Sequence, residues 1–435
     1  MRKRSVVSIL TLLVLVVGAT APLSAQNDPV TAIMAGTLID GTGGPPVRNA
    51  IVLVKGERIT AVGTDVMVPG GARVIDLSGM ALLPGFIDAH VHLVGRYIGE
   101  GRDWENSRVR DLPQEDAIRG VRNARLTVEA GFTTVRNVGA HDYSDVALRN
   151  MIEQGVVEGP RIVAAAHALG TTGGHCDDNG FVPGVADRGP EGGIADGLDE
   201  IAKAIRTQVK RGADVIKFCA TGGVLSEGDA VGVQQYTQEE MNALVEEAHM
   251  TNRKVAAHAH GTPGIKAALR AGVDSIEHGS RLDDEAIELF EETGAYLVPT
   301  LMAQEAVEYK ALDGTIVNLR AEKALFIAPK ARASFRKAAE AGVKIALGSD
   351  AGVFPHGTQG REFVLMVENG MKPMDAIVAG TRNAADLLGV VNDVGTIEAY
   401  KIADLVAVDG DPTADITVMT RPVFVMHEGR IVVGD

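Results

Sequence analysis

The sequence predicts an α/β chain: a (β/α)8 TIM barrel with a small β-sandwich domain formed from both chain termini. Three observations lead there. One helix-to-strand junction recurs along the middle of the chain, at Ala130-Gly131-Phe132, Arg211-Gly212-Ala213, Ala271-Gly272-Val273, Thr293-Gly294-Ala295 and Ala341-Gly342-Val343. Hairpin patterns occupy both ends. Polar residues gather where the central strands stop.

Residues 1–25 stand apart. Arg2, Lys3 and Arg4 form a basic start, Val6 to Val17 an apolar run, and Leu23-Ser24-Ala25 a small-residue cleavage site. This is the pattern of a secretory signal peptide, which predicts a secreted or periplasmic protein. The apolar run is shorter than the ~20 residues that span a bilayer, so no membrane span is expected after its removal.

Residues 26–83 read as the first half of the small domain. Ala50-Ile-Val-Leu-Val-Lys-Gly56-Glu-Arg-Ile-Thr-Ala-Val62 alternates and turns at Lys55-Gly56-Glu57, a hairpin pattern. Residues 391–435 supply the second half. Ala403-Asp-Leu-Val-Ala-Val408 is a strand, and Val423-Phe-Val-Met-His-Glu-Gly429-Arg-Ile-Val-Val433 repeats the hairpin.

Residues 84–390 form the barrel. Glycine just past a helix end takes the left-handed conformation cheaply, so each junction marks a helix giving way to a strand. The candidate strands are Phe86–Leu93, Thr133–Val138, Arg161–Leu169, Asp214–Ala220, Val255–His260, Ser275–Gly279, Tyr296–Leu301 and Lys344–Ser349. Helices lie between them, for example Glu115–Glu129, Thr237–Asn252 and Lys330–Glu340. Eight alternating units argue for a barrel, with a doubly wound open sheet as the alternative. Two long connections, Gly170 to Gly197 and Met302 to about Phe326, read as loops that shape a pocket.

Composition narrows the function. The chain has 435 residues, 46% hydrophobic, enough for a large core. Its net charge of −15 becomes −18 once the three cations of the signal are removed. Such a protein repels nucleic acid and anionic membranes. Two cysteines, Cys176 and Cys219, exclude a Cys-rich zinc site and predict no dependence on a disulfide framework. Cys219 reads as small packing rather than as a ligand.

The chemistry begins at Pro84-Gly-Phe-Ile-Asp-Ala-His90-Val-His92. Residues two apart on a strand share a face, so His90 and His92 project together, about 7 Å apart along the chain. Neutral imidazoles so placed can bind one cation. In a barrel, chemistry gathers at the C-terminal ends of the strands. His90, His92, His167, His258, His260 and His278 fall there, with His141, His175 and His356 in the loops just beyond. Lys217 sits inside the apolar run Val215-Ile-Lys-Phe-Cys219, where an ammonium is costly. It is either an inward lysine paired with a carboxylate or a neutral one able to capture carbon dioxide as a carbamate. Asp350 ends the eighth strand and can bind metal and shuttle a proton, or serve as an N-cap.

His90-x-His92, Lys217, His258, His278 and Asp350, in that order on eight βα units with a split β domain, resemble the amidohydrolase superfamily. The wording around Lys217, with Thr221-Gly-Gly, then Ala257-His258-Ala-His260-Gly and Ile276-Glu-His278-Gly, is similar to one branch. That branch holds imidazolonepropionase-like proteins, zinc dipeptidases cleaving before proline or basic residues, and ochratoxin-hydrolysing amidases. The resemblance implies two divalent metal ions, usually zinc. His90, His92 and Asp350 hold one, His258 and His278 the other, and Lys217 as its carbamate bridges them. It implies attack by a hydroxide shared between the metals, with Asp350 passing its proton to the leaving nitrogen.

The reaction so implied is cleavage of an amide or peptide bond next to a free carboxylate, in a dipeptide or an N-acyl amino acid. A lactonase or cyclic-amide hydrolase on the same site is the alternative. A non-catalytic barrel would lack ligands that this chain has. The expected partner is a small amide substrate, with self-association left open.

Three further residues are candidates for catalysis or substrate contact. His260 shares a face with His258, so spacing leaves open which binds metal. The resemblance favours His258, which leaves His260 for the substrate or for packing. His167 is placed for the oxyanion or the substrate carboxylate, again beside a packing reading. Tyr236 precedes the capping box Thr237-Gln-Glu-Glu240 and is either a staple on Met241 or, as in related dipeptidases, a contact to the substrate carboxylate.

Overall fold

The computed structural model describes residues 29–101 and 106–434. The expected signal peptide lies outside them. The first half of the small domain is β1 (Thr31–Leu38), β2 (Val47–Lys55), β3 (Arg58–Gly63) and β4 (Arg73–Pro84). The barrel strands are β5 (Phe86–Val91), β6 (Phe132–Asn137), β7 (Arg161–Ala164), β8 (Val215–Cys219), β9 (Lys254–Ala259), β10 (Ser275–His278) and β11 (Tyr296–Val298). The second half of the small domain is β12 (Leu405–Val408), β13 (Pro422–His427) and β14 (Arg430–Val433).

The small domain is one seven-stranded sheet in the order β14-β13-β12-β4-β1-β2-β3. The two termini join where β12 runs antiparallel to β4, Leu405 opposite Pro84. The sandwich is therefore one sheet folded over rather than two separate ones. Its distant hairpins meet, with the Gly429 N–H on the Ala403 carbonyl and the Ala403 N–H on the Glu57 carbonyl. Between the layers lies a separate apolar core that includes Ile33, Val52, Leu405 and Phe424.

The barrel closes through short contacts. β5-β6-β7 and β8-β9-β10-β11 are parallel sheets. A bridge from Leu169 to Phe218 joins β7 to β8. The eighth position is an extended segment around Lys344–Ser349, bridged from Ile345 to Leu297 on one side and from Ala351 to Val91 on the other. Its N–H and C=O groups bond β5, with Ala89 N on Leu347 O at 2.8 Å and Asp350 N on His90 O at 2.7 Å. Gly348 permits this approach, because a Cβ there would collide with Val298 and with Cβ of His90.

The third, seventh and eighth strands are shorter than the sequence predicts, and a non-glycine residue of positive φ follows each, Ala166 at 60°, Thr300 at 48° and Asp350 at 63°. His278, the last residue of the sixth strand, has φ of 72°. Non-glycine residues in that region cost about 1–3 kcal/mol each and gather at functional sites. Predicted junction glycines do end helices, with Gly212 at φ 105° and Gly342 at φ 78°.

The expected loop from Met302 to about Phe326 is a correction. The segment is helical, Leu301–Leu312 and then Asn318–Ala341. Pro329 lies inside the second helix, which is why only its last half, Lys330–Glu340, is legible as helix. The Gly170–Gly197 connection is a loop with one short 3-10 turn, Pro190–Gly192. The Thr237 capping box forms, Thr237 Oγ1 accepting from Glu240 N at 3.2 Å.

Candidate metal centre

The C-terminal mouth of the barrel opens into a cavity of about 400 Å³ lined by eight of the 11 histidines. Two clusters face each other there. Ligand-type atoms of His90, His92 and Asp350 lie within 4.8 Å of one another, as do those of His258, His260 and His278. Asp350 Oδ1 is 3.6 Å from His90 Nε2 and 3.4 Å from His92 Nε2. The His90 and His278 rings are 5.1 Å apart, so the clusters adjoin.

Burial pushes the imidazoles toward the neutral form that binds metal. His92 and His260 drop to about 3, and His90, His258 and His278 fall well below the usual range, burial leading in each case. The Lys217 charge adds to this at His90, His92, His258 and His278, which places the lysine among both clusters. Lys217 itself is 4% exposed, and burial lowers its ammonium. Burial raises the Asp350 carboxyl, and the nearby Asp88 and Glu277 add to that.

The residues fit metal ions. Nε2 of His258 is buried with no hydrogen-bond partner, a cost that a bound cation relieves. The other imidazoles are held from behind, which frees their second nitrogen. His90 Nδ1 bonds Glu277 at 2.7 Å, His278 Nδ1 bonds Thr300 Oγ1 at 2.7 Å, and His260 Nδ1 bonds Ser280 Oγ at 2.8 Å. His92 Nδ1 donates to Gly139 O at 3.2 Å. Such outer contacts fix the tautomer and ring direction of metal-ligating histidines.

The substrate-contact candidates divide. His167 lines the cavity, its ring 4.9 Å from Tyr143 and 6.0 Å from His141. His260 stacks on His278 at 4.8 Å and shares its cluster, so proximity alone does not separate it from His258. Tyr236 is turned away. It is 1% exposed, does not line the cavity, and its hydroxyl donates to Ala195 O at 3.1 Å. The packing reading of Tyr236 is the one this geometry carries, because its hydroxyl is already committed.

The cysteines are a second correction. Cys176 and Cys219 form a disulfide with Cα atoms 5.9 Å apart. It ties the Gly170–Gly197 loop to β8 two residues beyond Lys217. A pair separated by 43 residues gives no local sequence signal. The neighbouring His175 is thereby laid on His258, ring centroids 4.2 Å apart. Gly223 makes room for it, since any Cβ there would strike the His175 ring.

Two residues of the centre escaped the sequence reading. Arg136 on β6 and Glu277 on β10 are fully buried and pair at 2.8 Å. Arg136 also bonds Ala89 O at 2.6 Å, and Glu277 holds His90. Both are charges inside fully buried strands, but those strands, Phe132–Asn137 and Ser275–His278, carry other polar residues and so lack the apolar run that singles out Lys217.

Comparison with known proteins agrees with this geometry. Residues 81–432 match the amidohydrolase family. An ochratoxinase from Aspergillus niger is 35% identical over 426 residues, covering 93% of this chain and 86% of that protein. A Xaa-Pro dipeptidase solved with methionine in its active site is 40% identical, with a TM-score of 0.89 over 93% of this chain and 100% of its own. A prolidase solved with N-methylphosphonate-L-proline is 32% identical, with a TM-score of 0.84 over 93% and 100%.

Proposed function

This chain belongs to the amidohydrolase family, and from that premise we propose a metal-dependent enzyme that hydrolyses an amide bond next to a free carboxylate. The substrates are dipeptides, N-acyl amino acids or ochratoxin-like amides. The observation that carries the reading is the pair of adjoining three-residue clusters with Lys217 among them. The relatives named for Xaa-Pro dipeptides and for ochratoxin support the substrate class. The basic and apolar N-terminus supports export to the periplasm or beyond.

His90, His92 and Asp350 would hold one divalent cation, most simply zinc, and His258 and His278 a second, with carbamylated Lys217 between them. Cations bound there supply a Lewis acid for the scissile carbonyl and make water acidic enough to attack at neutral pH. Asp350 does the proton work. Its carboxylate takes a proton from the attacking water and passes it to the leaving nitrogen. His167 lines the cavity, and burial keeps its ring neutral, so that it can donate to a substrate oxygen.

The test is metal analysis of protein purified without chelator, then a panel of dipeptides, N-acyl amino acids, an ochratoxin-type amide and lactones. Two metals per chain and cleavage of carboxylate-bearing amides are expected. Full activity with one metal or fewer rejects the binuclear reading. Cleavage confined to lactones or cyclic amides rejects the substrate class.

A further inference from the structure

Two arginines on the cavity wall stand outside the metal-ligand set. Arg108 comes from the short helix Ser107–Arg110, and Arg188 from the loop after β7. They converge on one carboxylate. Arg188 Nη2 is 2.6 Å from Asp178 Oδ2, and Arg108 Nη1 is 3.8 Å from Asp178 Oδ1. The closer contact is off the line of a hydrogen bond and leaves Oδ2 without an aligned donor. Among the described residues Asp178 is Arg108's one ion-pair partner, and the Arg108 side chain lines the cavity and is 46% exposed. Guanidinium N–H groups therefore remain open to the cavity.

This wall adjoins the first cluster. The Arg108 charge bears on both His92 and His141. Arg188 Nη1 donates to His141 Nδ1 at 2.5 Å, and a guanidinium cannot accept, so the His141 proton sits on Nε2 as a further donor. The other acid that faces Arg108 is Asp116, whose carboxyl burial raises above its usual range. Arg108 and Arg188 thus place two fixed cations on the wall beside the ligand cluster, with Asp178 and Asp116 as the acids that face Arg108.

We infer that Arg108 and Arg188, held by Asp178, seat the free carboxylate of the substrate and set the enzyme's preference for amides that carry one. The inference rests on the substrate class proposed above. A guanidinium presents a planar fork that matches a carboxylate with two parallel hydrogen bonds, and among the described residues the Arg108 fork has only the 3.8 Å contact to Asp178. Asp178 balances part of the charge while the seat is empty and keeps both side chains directed into the cavity.

The test compares binding of L-methionine and L-methioninamide to the metal-loaded full chain by calorimetry, beside the hydrolysis panel. Wild-type protein should prefer the carboxylate by about tenfold or more, the worth of a charged bidentate pair. In Arg108→Met and Arg188→Met the preference should fall to about threefold or less, with Arg188→Lys intermediate because charge without the fork recovers part. Metal content and thermal midpoint are read for each variant, and Arg108→Met with Arg188→Lys suffices if Arg188→Met does not fold. An unchanged preference in the arginine variants, or none in the wild type, overturns the seat. If the wild type cleaves no carboxylate-bearing amide while the arginine variants still lose the binding preference, the substrate reading fails and the seat stands. If such amides are cleaved and the variants keep their preference, the seat fails and the substrate reading stands.

Discussion

His90 and Glu277 are joined at 2.7 Å in the floor of the site, both almost completely shielded from solvent. The same carboxylate takes Arg136 at 2.8 Å and Ser275 Oγ at 2.5 Å. Glu277 thus aims a metal-ligand histidine and neutralises a buried arginine at once.

Glu277→Gln separates those tasks. The amide can still accept from His90, but Arg136 loses its counter-charge. Outer-contact losses of this kind cost about 10–100-fold in metal affinity. Chelator competition should show a loss in that range, with kcat restored in part by excess metal. Wild-type metal affinity in the variant would mean that the charge of Glu277 contributes nothing to metal binding.

Lys217→Ala should lose metal and activity together if its carbamate bridges the cations. Acetate or propionate in the assay should restore part of the turnover by supplying a bridging carboxylate. A fully metallated and active Lys217→Ala protein would make the lysine structural.

Asp350→Asn keeps size and an oxygen but cannot take a proton. It should retain much of its metal while kcat falls at least ~10²-fold, more than KM rises. Near-normal turnover would remove Asp350 from the proton path.

Asp404 couples the two domains, bonding Arg161 at 3.0 Å and His427 at 3.0 Å. Burial works to raise its carboxyl, but His427, Arg161 and the Glu428 N–H outweigh that and hold it at about 2, below the ordinary 3.8. A carboxyl with a depressed folded value stabilises the fold above its unfolded value, and that share is lost as pH falls through the folded one. Asp404 should contribute about 2 kcal/mol at neutral pH, lost between about pH 4 and pH 2. Denaturant titrations across that window should show a smaller fall in stability for Asp404→Asn than for the wild type. Equal falls would place the acid sensitivity elsewhere.

Reducing the Cys176–Cys219 bond should loosen the Gly170–Gly197 loop. For a closed loop of 43 residues the chain-entropy estimate is about 4 kcal/mol at most. Cys176→Ser should lower the thermal midpoint and raise KM, since His175 loses the anchor that lays it on His258. An unchanged midpoint and KM would make the disulfide incidental to the site.

Much of this was legible in the chain because the signals are local. A glycine past a helix end, an alternating hairpin and a histidine two residues from another follow from backbone sterics and strand period. They are present before the chain folds. That is why the succession of barrel strands, the split small domain and the histidines and Asp350 at strand ends could be read from the residues, while their division into two ligand sets came from the family resemblance, and why Lys217 stood out as a charge in an apolar run.

What stayed hidden depends on residues far apart in sequence. Pro329 masked a continuous helix because neighbouring packing overrides a local breaker. Tyr236 could be read two ways until its hydroxyl was found on Ala195. Glu277 with His90, Arg188 with Asp178 and Cys176 with Cys219 are pairings of side chains from different strands and loops. The sequence by itself determined most of the elements, the helices over 301–341 apart, and which chemistry-bearing residues lie at strand ends, through φ preferences and hydrophobic period. Only the tertiary structure decided which of those residues face one another, because barrel closure sets distances that no local pattern encodes.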